Sequence, residues 1–297
     1  MNERQTASGQ NLASQLIIDY WKKLNIPPTP IDAQQSRASE LLRNRAWTFD
    51  NYIKPILDDY VAWFENSKEQ ANFTYHLTEL NERQLAGMVD AVSGCGLAAA
   101  QGYIAELKSD VALVEHVNRM TLSSPQRDYA DLNQGYGRRL GWYALVRALK
   151  PRVVVETGVE KGLGSCVITS ALLRNRTEGS PGRYFGTDID RQAGCLFTEP
   201  YASAGQILYG DSIESLSRLD ETIDLFINDS DHSVAYESRE YLTVHGKLSP
   251  HAIILGDNSH ASPALFEYAS HHGKRYLFFA EKPQGHFYPG AGIGVCF

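Results

Sequence analysis

The chain has no C-x-x-C pair: its four cysteines, Cys95, Cys166, Cys195 and Cys296, are scattered over 297 residues. That spacing argues against a disulfide framework and a thiolate zinc site, and fits reduced, buried thiols. Long apolar runs are also missing. None approaches membrane-spanning length, and the opening residues lack the charged-then-apolar build of a secretion signal, so the expectation is a cytoplasmic protein with no membrane partner. Positive charge is scarce too. A formal net charge of -7 disfavours a nucleic-acid backbone as the main partner, because phosphate binding needs a basic face. What remains is ordinary globular material, 43% hydrophobic and 21% charged, long enough for one large domain or two and for a sizeable core.

Two textures divide the chain. From about Asn11 to about Met120 the pattern is helical, with apolar residues three and four apart, as in Ile53, Ile56, Leu57, Tyr60, Val61 and Phe64. The segment Pro27 to Pro30 separates the first helix from the next, and Ser93-Gly-Cys-Gly96 marks a break before a helical stretch from Leu97 to Val117. Beyond Arg138, short apolar runs alternate with helical patterns, as in a parallel α/β sheet built from βαβ units. The boundary is placed near residue 125, giving an N-terminal helical region 1–125 and a second domain 126–297. Strands are expected at Arg152 to Thr157, Tyr184 to Asp188, Gln206 to Tyr209, Asp224 to Asn228 and Ala252 to Asp257. Arg275 to Ala280 and Gly292 to Phe297 read as a closing hairpin.

The most informative stretch is ETGVEKGLGS, from Glu156 to Ser165, directly after Val153-Val-Val155. A glycine-rich loop between a strand's carboxyl end and a helix is where an open α/β sheet binds its ligand. Its glycines, Gly158, Gly162 and Gly164, follow G-x-x-x-G-x-G rather than the dinucleotide fingerprint G-x-G-x-x-G. Glu156 at the strand end would repel a phosphate but help hold a cationic ligand. Those two features disfavour NAD and favour S-adenosylmethionine, and with them the sequence resembles the class I S-adenosylmethionine-dependent methyltransferases. The resemblance implies a Rossmann-like sheet of seven strands, mostly parallel, with an antiparallel last member. Asp188, closing the second strand about two dozen residues after the loop, lies where a carboxylate can accept the ribose hydroxyls; Asp190 is the competing choice. After the third strand, Asp211 or Ser212 would meet the adenine amino group or cap the following helix, and one residue can do both.

A second cluster follows. Asp229-Ser-Asp231-His232 ends the fourth apolar run, and Asp257-Asn258 ends the fifth. Carboxylates crowded at one sheet edge are costly unless a cation or proton compensates them, and two aspartates with an asparagine suit Mg²⁺ or a related divalent metal. Here the resemblance narrows to metal-dependent O-methyltransferases, the catechol and caffeoyl-coenzyme A type and the related macrolide-sugar and cephalosporin-hydroxylase-like group. It covers roughly residues 140 to 297. Carried over by position, Asp229, Asp257 and Asn258 would hold the metal and His232 would be the general base. Asn228 departs from the usual apolar residue, which leaves Asp229 and Asp231 in competition as ligand.

The implied reaction is methyl transfer from S-adenosylmethionine to a hydroxyl of a small molecule. Two other readings stand beside it: a methyltransferase-fold binding partner without turnover, and a hydroxylase-like enzyme using the metal. Tyr129, Tyr136, Arg138 and Arg139 would cover the cofactor or pack a helix. His260 and His286 read as surface residues more readily than as substrate contacts. The N-terminal helices would serve as a lid, a homodimer interface or a substrate selector, with Trp47, Tyr52, Tyr60, Trp63, Phe64, Phe73 and Tyr75 as core or interface.

Overall fold

The computed structural model describes residues 31–70, 72–257 and 259–297, in two compact units, 1–57 and 58–297. In the first, the described part is helix α1 (Ile31–Thr48), a π-helical turn (Phe49–Ile53) and the start of α2 (Lys54–Asn66). The apolar spacing of Ile53, Ile56, Leu57, Tyr60, Val61 and Phe64 does form helix. Yet each of these side chains is 44–71% exposed, so the periodicity sets secondary structure here without burying it.

The second unit is a sheet covered by helices. Its strands are β1 (Val153–Thr157), β2 (Arg183–Asp188), β3 (Gly205–Tyr209), β4 (Ile223–Asn228), β5 (Leu248–Asp257), β6 (Tyr276–Ala280) and β7 (Gly292–Cys296). They lie in the order β3-β2-β1-β4-β5-β7-β6. Neighbours from β3 to β5 pair in parallel, whereas β7 is antiparallel to both β5 and β6. The expected hairpin and seven-stranded, mostly parallel sheet are therefore present. β5 begins earlier than expected, at Leu248, because Ser249 to His251 continue the strand while remaining largely outside the apolar core.

Helices α3 (Glu79–Ser93), α4 (Leu97–Lys108), α5 (Val111–Ser123), α6 (Arg139–Leu149), α7 (Leu163–Thr177), α8 (Ser212–Arg218), α9 (Val234–His245) and α10 (Ala264–His271), with 3-10 turns at Pro125–Asp128 and Tyr201–Ala204, complete the described elements. The break at Gly94 and Gly96 is as read. The stretch from Leu97 to Val117 is not one helix: it stops at Lys108 and restarts at Val111, where the Asp110 carboxylate accepts the Leu113 N–H as an N-cap.

Strand alternation sends Val154 to one core and Val153 and Val155 to the other. On the first face Leu85, Val89, Leu107, Leu113, Trp142, Leu163 and Ile168 pack with Val154, Leu225 and Leu255 in one cluster. On the second, Leu216, Tyr241, Val244 and Leu265 cover Val155, Phe226 and Ile254. Each fully buried side chain of this size contributes about 1.5–3 kcal/mol by burial. The result is a rigid sheet whose order reverses between β1 and β4, leaving a crevice at the carboxyl ends of those strands.

Candidate active site

A cavity of about 690 Å³ opens at that crevice. Glu156, Gly158, Val159, Glu160 and Lys161 line it from the loop after β1, Thr187 to Asp190 from the end of β2, Gly210 to Ser212 from β3, and Asp229 to His232 from β4. Gly162, Gly164 and Ser165 lie behind this lining and shape it. Gly158 has φ +82°, and a Cβ there would collide with the Asp229 carbonyl oxygen, so only glycine lets the first and fourth strand ends pass this closely. A Cβ on Gly164 would likewise run into the Glu156 carboxylate.

Glu156 is 1% exposed. Its carboxyl accepts hydrogen bonds from the Tyr184 hydroxyl and, at 3.2 Å, from Ser165 Oγ. Burial outweighs those bonds and pushes its pKa up to about 7. Asp188 is occupied in building the loop: Oδ2 accepts Val159 N at 3.0 Å and Glu160 N at 2.9 Å, while Oδ1 accepts Asp190 N at 2.8 Å. Asp190 turns outward and accepts Gln192 N. Lys161 is buried in the cavity wall, and desolvation lowers its pKa.

Asp211 both caps and contacts. Oδ1 accepts Glu214 N at the start of α8, and Oδ2 accepts the Tyr236 hydroxyl at 3.0 Å. Ser212 donates to Glu240, a fully buried carboxylate on α9 that also receives Asn228 Nδ2, Thr157 Oγ1 at 3.1 Å and Ser230 Oγ at 2.8 Å. One side chain thus ties together the ends of β1 and β4 and the start of α8. It also accounts for Asn228: the polar residue in an apolar position is answered by a polar acceptor. Burial raises the Glu240 pKa.

At the cavity's edge, Asp229, His232 and Asp257 each present one ligand atom, all within 4.8 Å of one another. Asp231 turns away and accepts Ser233 N, so the geometry groups Asp229 with Asp257. Asn258 lies outside the described residues. Asp229 is pushed well above the usual carboxylate range by burial and by the charge of Asp257. A buried and a half-buried carboxylate with an imidazole fit a hard divalent cation, which would relieve that crowding. His232 Nε2 is 3.9 Å from Asp229 Oδ1, and Nδ1 is 3.7 Å from Glu237 Oε1. The Glu237 carboxylate raises the His232 pKa, and Glu237 is itself fixed by Ser262.

Arg138, read from the sequence only as cofactor cover or helix packing, reaches this cluster. Its guanidinium forks onto Asp257, with Nη2 donating to Oδ2 at 2.5 Å and Nε against Oδ1. Although burial works against its charge, Asp257, Asp229 and Glu281 raise the Arg138 pKa. His286, expected at the surface, packs against Phe73, Tyr75 and Phe287, with Nε2 3.5 Å from Glu69. Glu237, Glu240 and Glu281 carried no sequence signal; the fold alone shows these carboxylates to be buried.

Residues 155–259 match the sequence model of a family described as a methyltransferase domain. No curated protein matches the chain in sequence. Among solved structures, the chain is similar to the O-methyltransferase TomG from Streptomyces achromogenes, involved in tomaymycin synthesis and in complex with SAM. Identity is 16%, coverage 64% of this chain and 90% of that one, and TM-score 0.46. It is also similar to the O-methyltransferase from Bacillus cereus in complex with SAH, with 16% identity, 64% and 94% coverage and TM-score 0.45. The SAH-bound methyltransferase PaMTH1 of Podospora anserina gives 16% identity, 74% and 95% coverage and TM-score 0.45.

Proposed function

We propose that this chain, whose residues 155–259 match a methyltransferase domain, transfers a methyl group from S-adenosylmethionine to a hydroxyl oxygen of a small molecule. The observation that carries the reading is one of adjacency. The cavity over the β1 loop, fitted with Asp188 and Asp211, opens at its edge onto the Asp229, His232 and Asp257 cluster. In this scheme the ribose hydroxyls meet the lone pairs that Asp188 has left, and the adenine lies toward Asp211, Ser212 and Tyr236.

Asp229 and Asp257, with Asn258 added from the sequence, would hold a divalent ion such as Mg²⁺, which when bound lowers the pKa of an acceptor hydroxyl. His232 takes the hydroxyl proton at Nε2, while Glu237 behind Nδ1 orients the ring and stabilises its cationic form. The acceptor oxygen forms a bond to the methyl carbon as the carbon–sulfur bond breaks, and the electron pair leaves with S-adenosylhomocysteine. Holding the two partners in line is the main task of the rigid strand ends.

Calorimetric titration with S-adenosylmethionine, with and without Mg²⁺, tests the donor half. Binding by the native chain and its loss in Asp188→Ala is the expected result; a native protein that does not bind the donor refutes the proposal. His232→Ala, assayed for S-adenosylhomocysteine release over a panel of hydroxylated acceptors, is expected to bind the donor normally and to turn over about 10²–10⁴-fold more slowly.

A further inference from the structure

We infer that Arg138 is the residue that sets how tightly the acceptor-side carboxylates hold a divalent cation, because its guanidinium fixes a positive charge against the Asp257 carboxylate that the metal would need. The inference rests on the metal element of the proposed function and concerns a residue to which that scheme assigns nothing.

Arg138 stands immediately before α6, and its position is fixed from both ends. Its backbone N–H donates to Glu281 Oε1 at 2.6 Å. Its side chain, 12% exposed, forks onto Asp257 and keeps Nη1 3.5 Å from Glu281 Oε2. Glu281 is in turn held by the Tyr75 hydroxyl at 2.9 Å. The guanidinium therefore lies between two buried carboxylates, one closing β5 and one just after β6.

Nη2 donates to Asp257 Oδ2, while Nε lies against Oδ1 without a hydrogen bond to it, so the guanidinium crowds both carboxylate oxygens and leaves Oδ1 without a donor. A divalent ion seated between Asp229 and Asp257 needs at least one of those oxygens, and it would face a fixed positive charge in a poorly solvated pocket, where like charges repel strongly. Occupancy by metal and the Arg138–Asp257 contact thus oppose one another. Withdrawal of the guanidinium from Asp257 would ease that repulsion, and Glu281 is the carboxylate already within reach to receive it. By linkage, metal binding and the Arg138–Asp257 contact weaken one another by the same factor. The arrangement also explains how buried Asp257 is compensated in the absence of an ion: Arg138 supplies the countercharge.

The test measures Mn²⁺ binding by the intact chain at constant pH, from the loss of the free-ion paramagnetic resonance signal. Arg138→Met removes the competitor and is expected to bind Mn²⁺ about tenfold more tightly or better than the native protein. Arg138→Lys keeps a charge but cannot fork, and should fall between. Glu281→Gln takes away the alternative seat, confines the guanidinium to Asp257 and is expected to weaken Mn²⁺ binding. This variant keeps the inference open to refutation should Arg138→Met fail to fold. Equal affinities across native, Arg138→Met and Glu281→Gln proteins would overturn the inference while leaving the metal reading intact. Absence of Mn²⁺ binding in every variant would remove both, and donor titration would then decide the rest of the proposed function separately.

Discussion

Replacing Glu156 by Gln should flatten the dependence of stability on pH. The carboxyl is 1% exposed, and its pKa rises from 4.5 to about 7, chiefly through burial. Because the folded pKa lies above the unfolded one, the native state holds the proton more tightly. The associated stability is fully present below about pH 4.5 and is lost as pH rises through about 7. At ~1.4 kcal/mol per unit, the rise corresponds to about 3 kcal/mol lost across that window. Gln keeps an acceptor for Tyr184 and Ser165 but cannot ionise. Urea unfolding at pH 5, 6, 7 and 8.5 should therefore show the native protein losing about 2.5 kcal/mol more than Glu156→Gln between the extremes. Parallel curves would refute the argument and mean that Glu156 is ionised in the fold at far lower pH. The same proton bears on the donor. A sulfonium near Glu156 favours the ionised form, so S-adenosylmethionine affinity should increase through pH 7 in the native protein and stay level in the variant.

Gly158→Ala places a Cβ against the Asp229 carbonyl at φ +82°; a loss of about 1–3 kcal/mol in urea unfolding is expected, with donor binding abolished in calorimetry. Glu240→Ala strips four donors of their acceptor and should cost about 3 kcal/mol or more, whereas Glu240→Gln, which still accepts, should cost visibly less. If both cost the same, the network is not what Glu240 contributes. The exposed Val61 and Phe64 are suited to a homodimer interface; sedimentation should then report a dimer for the native chain and a monomer for Val61→Asp/Phe64→Asp, and a native monomer at micromolar concentration would count against it.

The parts of the site legible in sequence were those with local patterns. Val153 to Val155 announce a buried strand, the glycines after them announce a tight loop, and Asp188, Asp211, Asp229 and Asp257 each stand at the end of an apolar run. What was not legible is long-range. Arg138 meets Asp257 across 119 residues and Glu281 across 143, and no local spacing encodes such a pairing. Glu237 and Glu240 sit on α9 among Tyr236, Arg239 and Thr243, where a charged residue reads as solvated; only the fold shows that their face is buried against strand ends. The helix break at Asp110 was hidden for a different reason, since its capping aspartate lies inside an apolar periodicity that continues through it.

The position of β7 has a consequence for how this site comes into being. Within the sheet, β6 is bonded only to β7, which slots between β5 and β6 although it follows both in the chain. The acidic residue that trails β6, Glu281, accordingly rides on a strand whose place in the sheet depends on one made later. During synthesis the β1 to β4 half, with the crevice at its strand ends, can assemble while this edge is still open. The edge that carries Asp257 and Glu281 is then the last part of the fold to close, and damage to β7 is expected to disturb that edge before it disturbs the crevice between β1 and β4.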